Sequence, residues 1–168
     1  MICSQCDCRH VYVKWTLALF IVLIAGCSSV PKRTPAPVFP SALPPVTRYA
    51  LSLTGVPYRY GKASPSEGFD CSGFVQYVYG RYGVRLPRTA REMAMMLPPA
   101  EPYSLRSGDL VFFDTEGNGY SHVGLFVDGD RFVHASSSRS GKVMVSSLNN
   151  PYWRQHYSGA RRPWAGYR

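Results

Sequence analysis

One cysteine at the predicted start of a helix is the residue best suited to nucleophilic chemistry. Residues 68–83 read GFDCSGFVQYVYGRYG, with apolar side chains at helical spacing after Gly68, Asp70 placed as an N-cap and Gly83 as a stop. Cys71 then lies in the first turn, where unpaired backbone N–H groups favour negative charge and lower a thiol pKa. The stretch suits a cysteine nucleophile, and the alternative is a small buried thiol at the start of a core helix.

A cysteine nucleophile needs a base, and the base needs an orienting partner. His122, His134 and His156 are the candidates, and the first two lie in the alternating stretches HVGLFV and RFVHA. The apolar faces of these two strands coincide only if odd-numbered residues pair with odd-numbered ones, which puts His122 and His134 on one face. We therefore expect a loop with an odd number of residues, such as the three residues 128–130, because a two-residue turn would separate the histidines. The alternative is two unrelated histidines on a polar face.

The elements that must position these residues form two groups along the chain. Thr89 begins a Thr-x-x-Glu capping box, which predicts that a helix follows it. Helices first and strands later predict an α+β domain, with the nucleophile helix packed on a mainly antiparallel sheet. The predicted helices are 47–56, the cysteine helix and 90–97, the predicted strands are 109–113, 122–127, 131–135 and 142–147, and the last segment adds a strand or irregular coil.

Composition limits the class of protein. The 168 residues carry a net charge of +9 and 45% hydrophobic residues, which is typical of one globular domain with an anionic partner. A cell-wall polymer, a membrane surface or nucleic acid would each fit the charge. The sequence has no Lys/Arg-rich run, RNA-binding signature or zinc-finger spacing, so we expect no nucleic-acid partner, and we expect a monomer.

The N-terminal region has the pattern of an export signal. Residues 15–26 form an apolar run of signal-peptide length, too short to span a membrane comfortably, and basic residues precede it. The run ends in LIAGC, which resembles the bacterial lipobox. The resemblance implies removal of residues 1–26, lipid attachment such as palmitate at Cys27 and, because Ser28 is not aspartate, sorting to the periplasmic face of the outer membrane. The alternative is an ordinary secretory signal or an uncleaved anchor.

Export would leave one free thiol. Cys3, Cys6 and Cys8 lie ahead of the apolar run, so we interpret them as incidental and expect no metal site. With Cys27 lipidated, Cys71 remains, and an exported protein has little reason to keep an unpaired thiol unless it is buried or used. The stretch that follows Cys27 is rich in proline and serine and reads as an extended tether. The predicted organisation is therefore a signal peptide over 1–26, a lipidated tether over 27–46 and one domain over 47–168.

Six motifs follow one another in the order found in a known family. The motifs are PYRYG, DCSGFVQYVY, LPRTA, SGDLVFF, HVGLFV and FVHAS. They resemble the NlpC-type cell-wall peptidases, which are papain-like cysteine hydrolases of bacteria, and the similarity covers about residues 47–162. The resemblance implies a papain-like fold with Cys71 as nucleophile, His122 as general base and His134 as orienting residue. It also implies that Tyr58 lies beside the nucleophile as an oxyanion or substrate contact.

Several further positions match the family less decisively. Lys62 stands where the family often has a second glycine, so the resemblance does not predict the backbone conformation of that loop. Ser72, Arg88 and Asp109 match family positions, but simpler readings as helix-start, loop and turn residues stay open for them. His156 matches no catalytic motif, and we interpret it as a surface or packing residue.

The resemblance implies a peptidoglycan endopeptidase that hydrolyses stem-peptide or cross-link amide bonds without metal or cofactor. Its expected partners are the peptidoglycan substrate and the membrane, which it would reach through the lipid. Two alternatives stay open. One is a catalytically inactive wall-binding or scaffold lipoprotein, and the other is a thiol-dependent amidase or acyltransferase on the same fold.

Overall fold

Four helices and seven strands make up the part of the chain that the computed structural model describes, residues 43–137 and 140–163. The predicted signal peptide, Cys27 and the tether up to residue 42 lie outside these residues. No helix within the described ranges is long and apolar enough to cross a membrane. The helices are α1 (Pro45–Ser52), α2 (Cys71–Gly80), α3 (Ala90–Met96) and α4 (Pro151–His156), and the strands are β1 (Ala63–Ser64), β2 (Gly68–Phe69), β3 (Leu110–Phe113), β4 (His122–Asp128), β5 (Arg131–Ala135), β6 (Val143–Ser147) and β7 (Tyr157–Arg161).

The predicted helix starts are close to those observed. Asp70 caps α2 through a 2.6 Å hydrogen bond from the backbone N–H of Gly73, and Thr89 with Glu92 forms the predicted capping box of α3. Helix α1 begins earlier than predicted, at Pro45, because proline is favoured in the first turn of a helix. The last two residues of the predicted tether therefore belong to α1.

Strands β3 to β7 form one antiparallel sheet in the order β6-β5-β4-β3-β7. This arrangement confirms the predicted α+β class. The final segment, which the sequence left open between strand and coil, supplies both α4 and the edge strand β7. Asn150 followed by Pro151 is an N-cap and first-turn pair that could have indicated α4.

The two faces of the sheet bury different sets of side chains. Odd-numbered residues of β4 and β5, such as Leu125 and Val133, pack on the side of α2 together with Phe74 of that helix. The opposite face carries a cluster around Phe113, with α4 packed against it. This cluster comprises Ala100, Val111, Phe113, Phe126, Phe132 and Ala160. The histidines of β4 and β5 belong to this second face.

The hairpin between β4 and β5 has the predicted register but not the predicted loop. Leu125 pairs with Val133, so odd residues face odd residues as expected. The turn, however, has two residues and closes at Asp128 and Arg131. A β-bulge after Phe126 adds the residue that the turn lacks, which shifts the register by one and restores the shared face. The prediction of a three-residue loop was wrong because a bulge changes register as effectively as a longer loop.

Candidate active site

The carboxylate of Asp70 organises the start of α2. Besides the cap to Gly73, it accepts the backbone N–H of Gly61 at 2.9 Å and two hydrogen bonds from Arg88, at 2.6 and 3.1 Å. Arg88 also donates to the hydroxyl of Ser72 at 3.0 Å. Burial alone raises the pKa of Asp70, but the bonds from Arg88 and the backbone outweigh it and hold the pKa below its usual value. Asp70 is therefore a charged anchor that joins the helix, the preceding loop and Arg88.

The loop that precedes α2 packs tightly against the helix. The carbonyl of Lys62 accepts the N–H of Asp70 at 3.0 Å, and a Cβ on Gly73 would lie only 2.3 Å from that carbonyl oxygen. The close approach therefore needs glycine at position 73. The Lys62 ammonium, meanwhile, pairs with the exposed carboxylate of Glu67 at 2.6 Å. Lys62, which stands where the family often has glycine, therefore keeps a backbone hydrogen bond with Asp70. Its side chain pairs with Glu67.

Tyr58 lines the same cleft as Cys71. Its backbone N–H donates to the carbonyl of Gly141 at 2.7 Å, and its backbone bridges to Phe69, two residues before the cysteine. Burial, with smaller contributions from Cys71 and Asp70, raises the pKa of the Tyr58 phenol. The phenol therefore keeps its proton at neutral pH and can donate a hydrogen bond.

Cys71 is a free, partly buried thiol in the first turn of α2, with its Sγ 4.0 Å from the carbonyl oxygen of Ser121. Burial and, to a smaller extent, the Asp70 carboxylate raise the pKa of the thiol to about 11. Backbone N–H groups, including that of Val123, oppose these effects only in part. The expectation of a lowered thiol pKa was therefore wrong, because burial outweighs the donors at the helix start. The thiol is protonated at neutral pH.

The structure brings His122 and His134 together, as the predicted register required. Nε2 of His122 lies 2.8 Å from Nδ1 of His134, with the ring planes at 86°. Nε2 of His134 lies 3.0 Å from the hydroxyl oxygen of Ser146. Burial lowers the pKa of His122 to about 4, and burial together with the neighbouring His122 lowers the pKa of His134. Both rings are therefore neutral at neutral pH.

Trp153 of α4 covers the histidine pair, and sequence reasoning missed it. Its indole stacks on His122 at a centroid distance of 5.2 Å and an angle of 26°, and it meets His134 edge-on at 4.9 Å. The same indole packs against Phe113 and Phe132. A helix of only six residues offers little periodicity, so the start signal at its N-terminus was the one available sequence indication.

Gly124 lies against Phe132 and His134 and leaves room for both side chains. A Cβ at this position would lie 2.6 Å from Cδ2 of Phe132 and 3.2 Å from Cβ of His134. Its backbone has no positive φ, so the absence of a side chain is needed for space and not for conformation.

A cleft of about 530 Å³ opens onto the thiol. Cys71, His122, Tyr58 and Arg88 line it, and the loop over residues 114–121 forms one wall. No group of three or more His, Cys, Asp or Glu side chains among residues 43–137 and 140–163 could hold a metal ion.

Asp109 and His156 both have structural contacts in this fold. Asp109 is almost fully buried and accepts two 2.7 Å hydrogen bonds from Arg162, together with the backbone N–H of Arg106. These contacts fix the turn before β3. His156 bonds through Nδ1 to the carbonyl oxygen of Tyr152 at 2.7 Å and lies against that tyrosine ring. These contacts fit the interpretation of His156 as a surface or packing residue.

Two proteins with similar sequences are named as endopeptidases. The chain is 47% identical over 117 residues to the murein DD-endopeptidase MepH of Escherichia coli, a match that covers 67% of this chain but only 42% of MepH. It is 36% identical over 162 residues to a probable endopeptidase of Haemophilus influenzae, which covers 90% of this chain and 98% of that protein.

A solved structure and a family model both match this chain to the same family. The crystal structure of a lipoprotein-like NLP/P60 family protein of Staphylococcus aureus matches with a TM-score of 0.63 and 36% identity, over 70% of this chain and 40% of that one. The model of the NlpC/P60 family matches residues 55–162, which contain the cysteine and both paired histidines. From the start of the loop before α2 to the end of β7, this chain belongs to the NlpC/P60 family.

Proposed function

We propose that this chain is a peptidoglycan endopeptidase that hydrolyses amide bonds of stem peptides or their cross-links through Cys71, His122 and His134. The observation that carries the proposal is a thiol at a helix start that shares a cleft with His122, whose ring is hydrogen-bonded to His134. The similar protein MepH is a murein DD-endopeptidase, so D,D cross-links are the first bonds to test.

The chemistry starts from a neutral thiol and a neutral imidazole. Because Nε2 of His122 is bonded to His134, Nδ1 is the nitrogen left to receive the proton of Cys71. The raised thiol pKa and the lowered His122 pKa disfavour a resting ion pair. Proton transfer to His122 therefore accompanies the attack of Sγ on the amide carbonyl carbon.

The tetrahedral intermediate needs donors for its oxyanion. Backbone N–H groups in the first turn of α2 have no partner within the helix and can supply them, and the protonated Tyr58 phenol lines the same cleft. The C–N bond then breaks, and His122 gives its proton to the leaving amine. Water hydrolyses the thioester on Cys71 with His122 again acting as base.

The anchoring part of the proposal concerns residues 1–46. We propose that Cys27 carries a lipid and that the Pro-rich stretch lets a monomeric domain reach the wall from the outer membrane. The sequence LIAGC after an apolar run supports this. Metabolic labelling with a fatty-acid analogue should mark the full chain and fail to mark its Cys27→Ala variant. Equal labelling of both chains would contradict the anchor.

Digestion of purified peptidoglycan, with products identified by mass spectrometry, tests the activity. We expect cleavage of cross-linked stem peptides by the full chain and none by its Cys71→Ala variant. Unchanged cleavage by that variant would refute the thiol mechanism. Binding of peptidoglycan without cleavage would indicate the scaffold alternative, and release of whole stem peptides from the glycan would indicate an amidase.

A further inference from the structure

A serine on the neighbouring strand extends the histidine pair by one member. Ser146 lies on β6 directly opposite Phe132, so it shares the face that carries His134. Its hydroxyl oxygen is 3.0 Å from Nε2 of His134, whose other nitrogen faces His122 at 2.8 Å. A chain of hydrogen bonds thus runs from His122 on β4 through His134 on β5 to Ser146 on β6, and Cys71 of α2 shares the cleft with His122.

The direction of the protons along these contacts decides whether His122 can act as a base. A neutral imidazole has one N–H donor and one acceptor nitrogen. If Nδ1 of His122 is to accept the thiol proton, its Nε2 must carry hydrogen and donate to Nδ1 of His134. His134 then carries its own hydrogen on Nε2, which needs an acceptor, and the hydroxyl oxygen of Ser146 is in place. The opposite direction puts hydrogen on Nδ1 of His122 and removes the base.

We propose that Ser146 is a positioning residue that terminates this chain by accepting the Nε2–H of His134. The inference rests on the proposed function, because it concerns the protonation state of the proposed base. When His122 takes the thiol proton it donates from both nitrogens, so only the direction that ends on the Ser146 oxygen is compatible with the charged ring. Hydrogen bonds polarised by a charge are about twice as strong as neutral ones, so Ser146 acts mainly on the charged state.

Substitutions that separate the hydroxyl from the shape of the side chain test the proposal in the full chain. Ser146→Ala and Ser146→Val lack the acceptor, whereas Ser146→Thr keeps it, and valine and threonine have nearly the same shape. We expect the first two to lower kcat about tenfold on a cross-linked stem peptide with KM unchanged, and Ser146→Thr to stay close to wild type. Ser147→Ala is the matched control, because that hydroxyl bonds to Asp130 and not to a histidine.

Nitrogen-15 NMR of the histidine rings gives a readout that does not depend on turnover. The wild-type chain should show His134 protonated on Nε2 and His122 free on Nδ1, and Ser146→Val should show mixed tautomers where Ser146→Thr does not. Wild-type kcat and unchanged tautomers in Ser146→Val would overturn the proposal, as would an equal loss of kcat in Ser147→Ala. Full hydrolysis by Cys71→Ala would instead refute the proposed function while the NMR result still decides the role of Ser146.

Discussion

Replacing Gly124 by alanine should disturb the histidine pair without changing any titratable residue. The added Cβ would lie 2.6 Å from Cδ2 of Phe132, whereas carbon atoms in contact are best separated by about 3.5–4.0 Å. The Phe132 ring must therefore move by roughly 1 Å. It is fully buried between Phe113, His134 and Trp153, with centroid distances of 4.9, 4.9 and 5.3 Å, so the displacement is passed to His134.

The expected losses follow from overpacking and misplacement. Added atoms in a well-packed core cost about 1–3 kcal/mol in the free energy of unfolding. For a chain of this size that lowers Tm by roughly 2–4 °C per kcal/mol. A catalytic group misplaced by about 1 Å can cost up to about 100-fold in rate. We therefore expect Gly124→Ala to lose both stability and kcat, measured by thermal unfolding and by peptidoglycan hydrolysis well below its Tm.

A matched control and a compensating change sharpen the test. Gly80 at the end of α2 has nothing within 4 Å of an added Cβ, so Gly80→Ala should keep kcat and gain up to about 1 kcal/mol from helix propensity. Adding Phe132→Leu to Gly124→Ala frees space and should recover part of the lost kcat. The reasoning fails if Gly124→Ala unfolds and turns over like wild type. Lost stability with full kcat would show that His134 does not depend on this packing.

Three further predictions concern the thiol and the histidines. Cys71→Ala should leave Tm within a few degrees of wild type and lower hydrolysis by about two to four orders of magnitude, and activity close to wild type would refute the nucleophile. Alkylation of Cys71 by iodoacetamide can be followed by mass spectrometry. Its rate should rise about tenfold per pH unit between about pH 6 and 9, because the thiolate is the reactive form and the thiol pKa is about 11. A rate independent of pH in that range would indicate a preformed ion pair. His122→Ala should nearly abolish turnover. His134→Gln should retain more activity than His134→Ala, because a glutamine oxygen can accept the Nε2–H of His122. Equal losses in all three variants would contradict the orienting role of His134.

The alternation of apolar residues was enough to predict which side chains meet in the hairpin. It placed His122 and His134 on one face, because side-chain direction in a strand depends only on parity. Parity cannot say how the register is reached, so the bulge after Phe126 was not predictable from the same pattern. Trp153 was missed for a different reason, since its position over the histidines is set by the packing of α4 against the sheet.

The local sequence around the cysteine predicted its place in the helix but not its ionisation. Asp70 was recognisable as an N-cap because capping depends on residues a few positions apart. The depth at which Cys71 is buried depends on β4, fifty residues later in the chain, whose Val123 N–H and neighbouring Ser121 carbonyl face the sulfur. Burial set by distant elements therefore decided the direction of the thiol pKa.

The bulge after Phe126 has a consequence for how this hairpin can change length during evolution. A two-residue turn with a bulge and a three-residue turn without one present the same histidine face, so one arrangement can replace the other without loss of the site. Deleting Val127 while inserting one residue beside Gly129 would make that exchange. A single insertion or deletion without its counterpart would instead shift the register of one strand by one residue. The histidine on that strand would then face α2. We therefore expect one-residue insertions and deletions in this hairpin to occur only in compensated pairs.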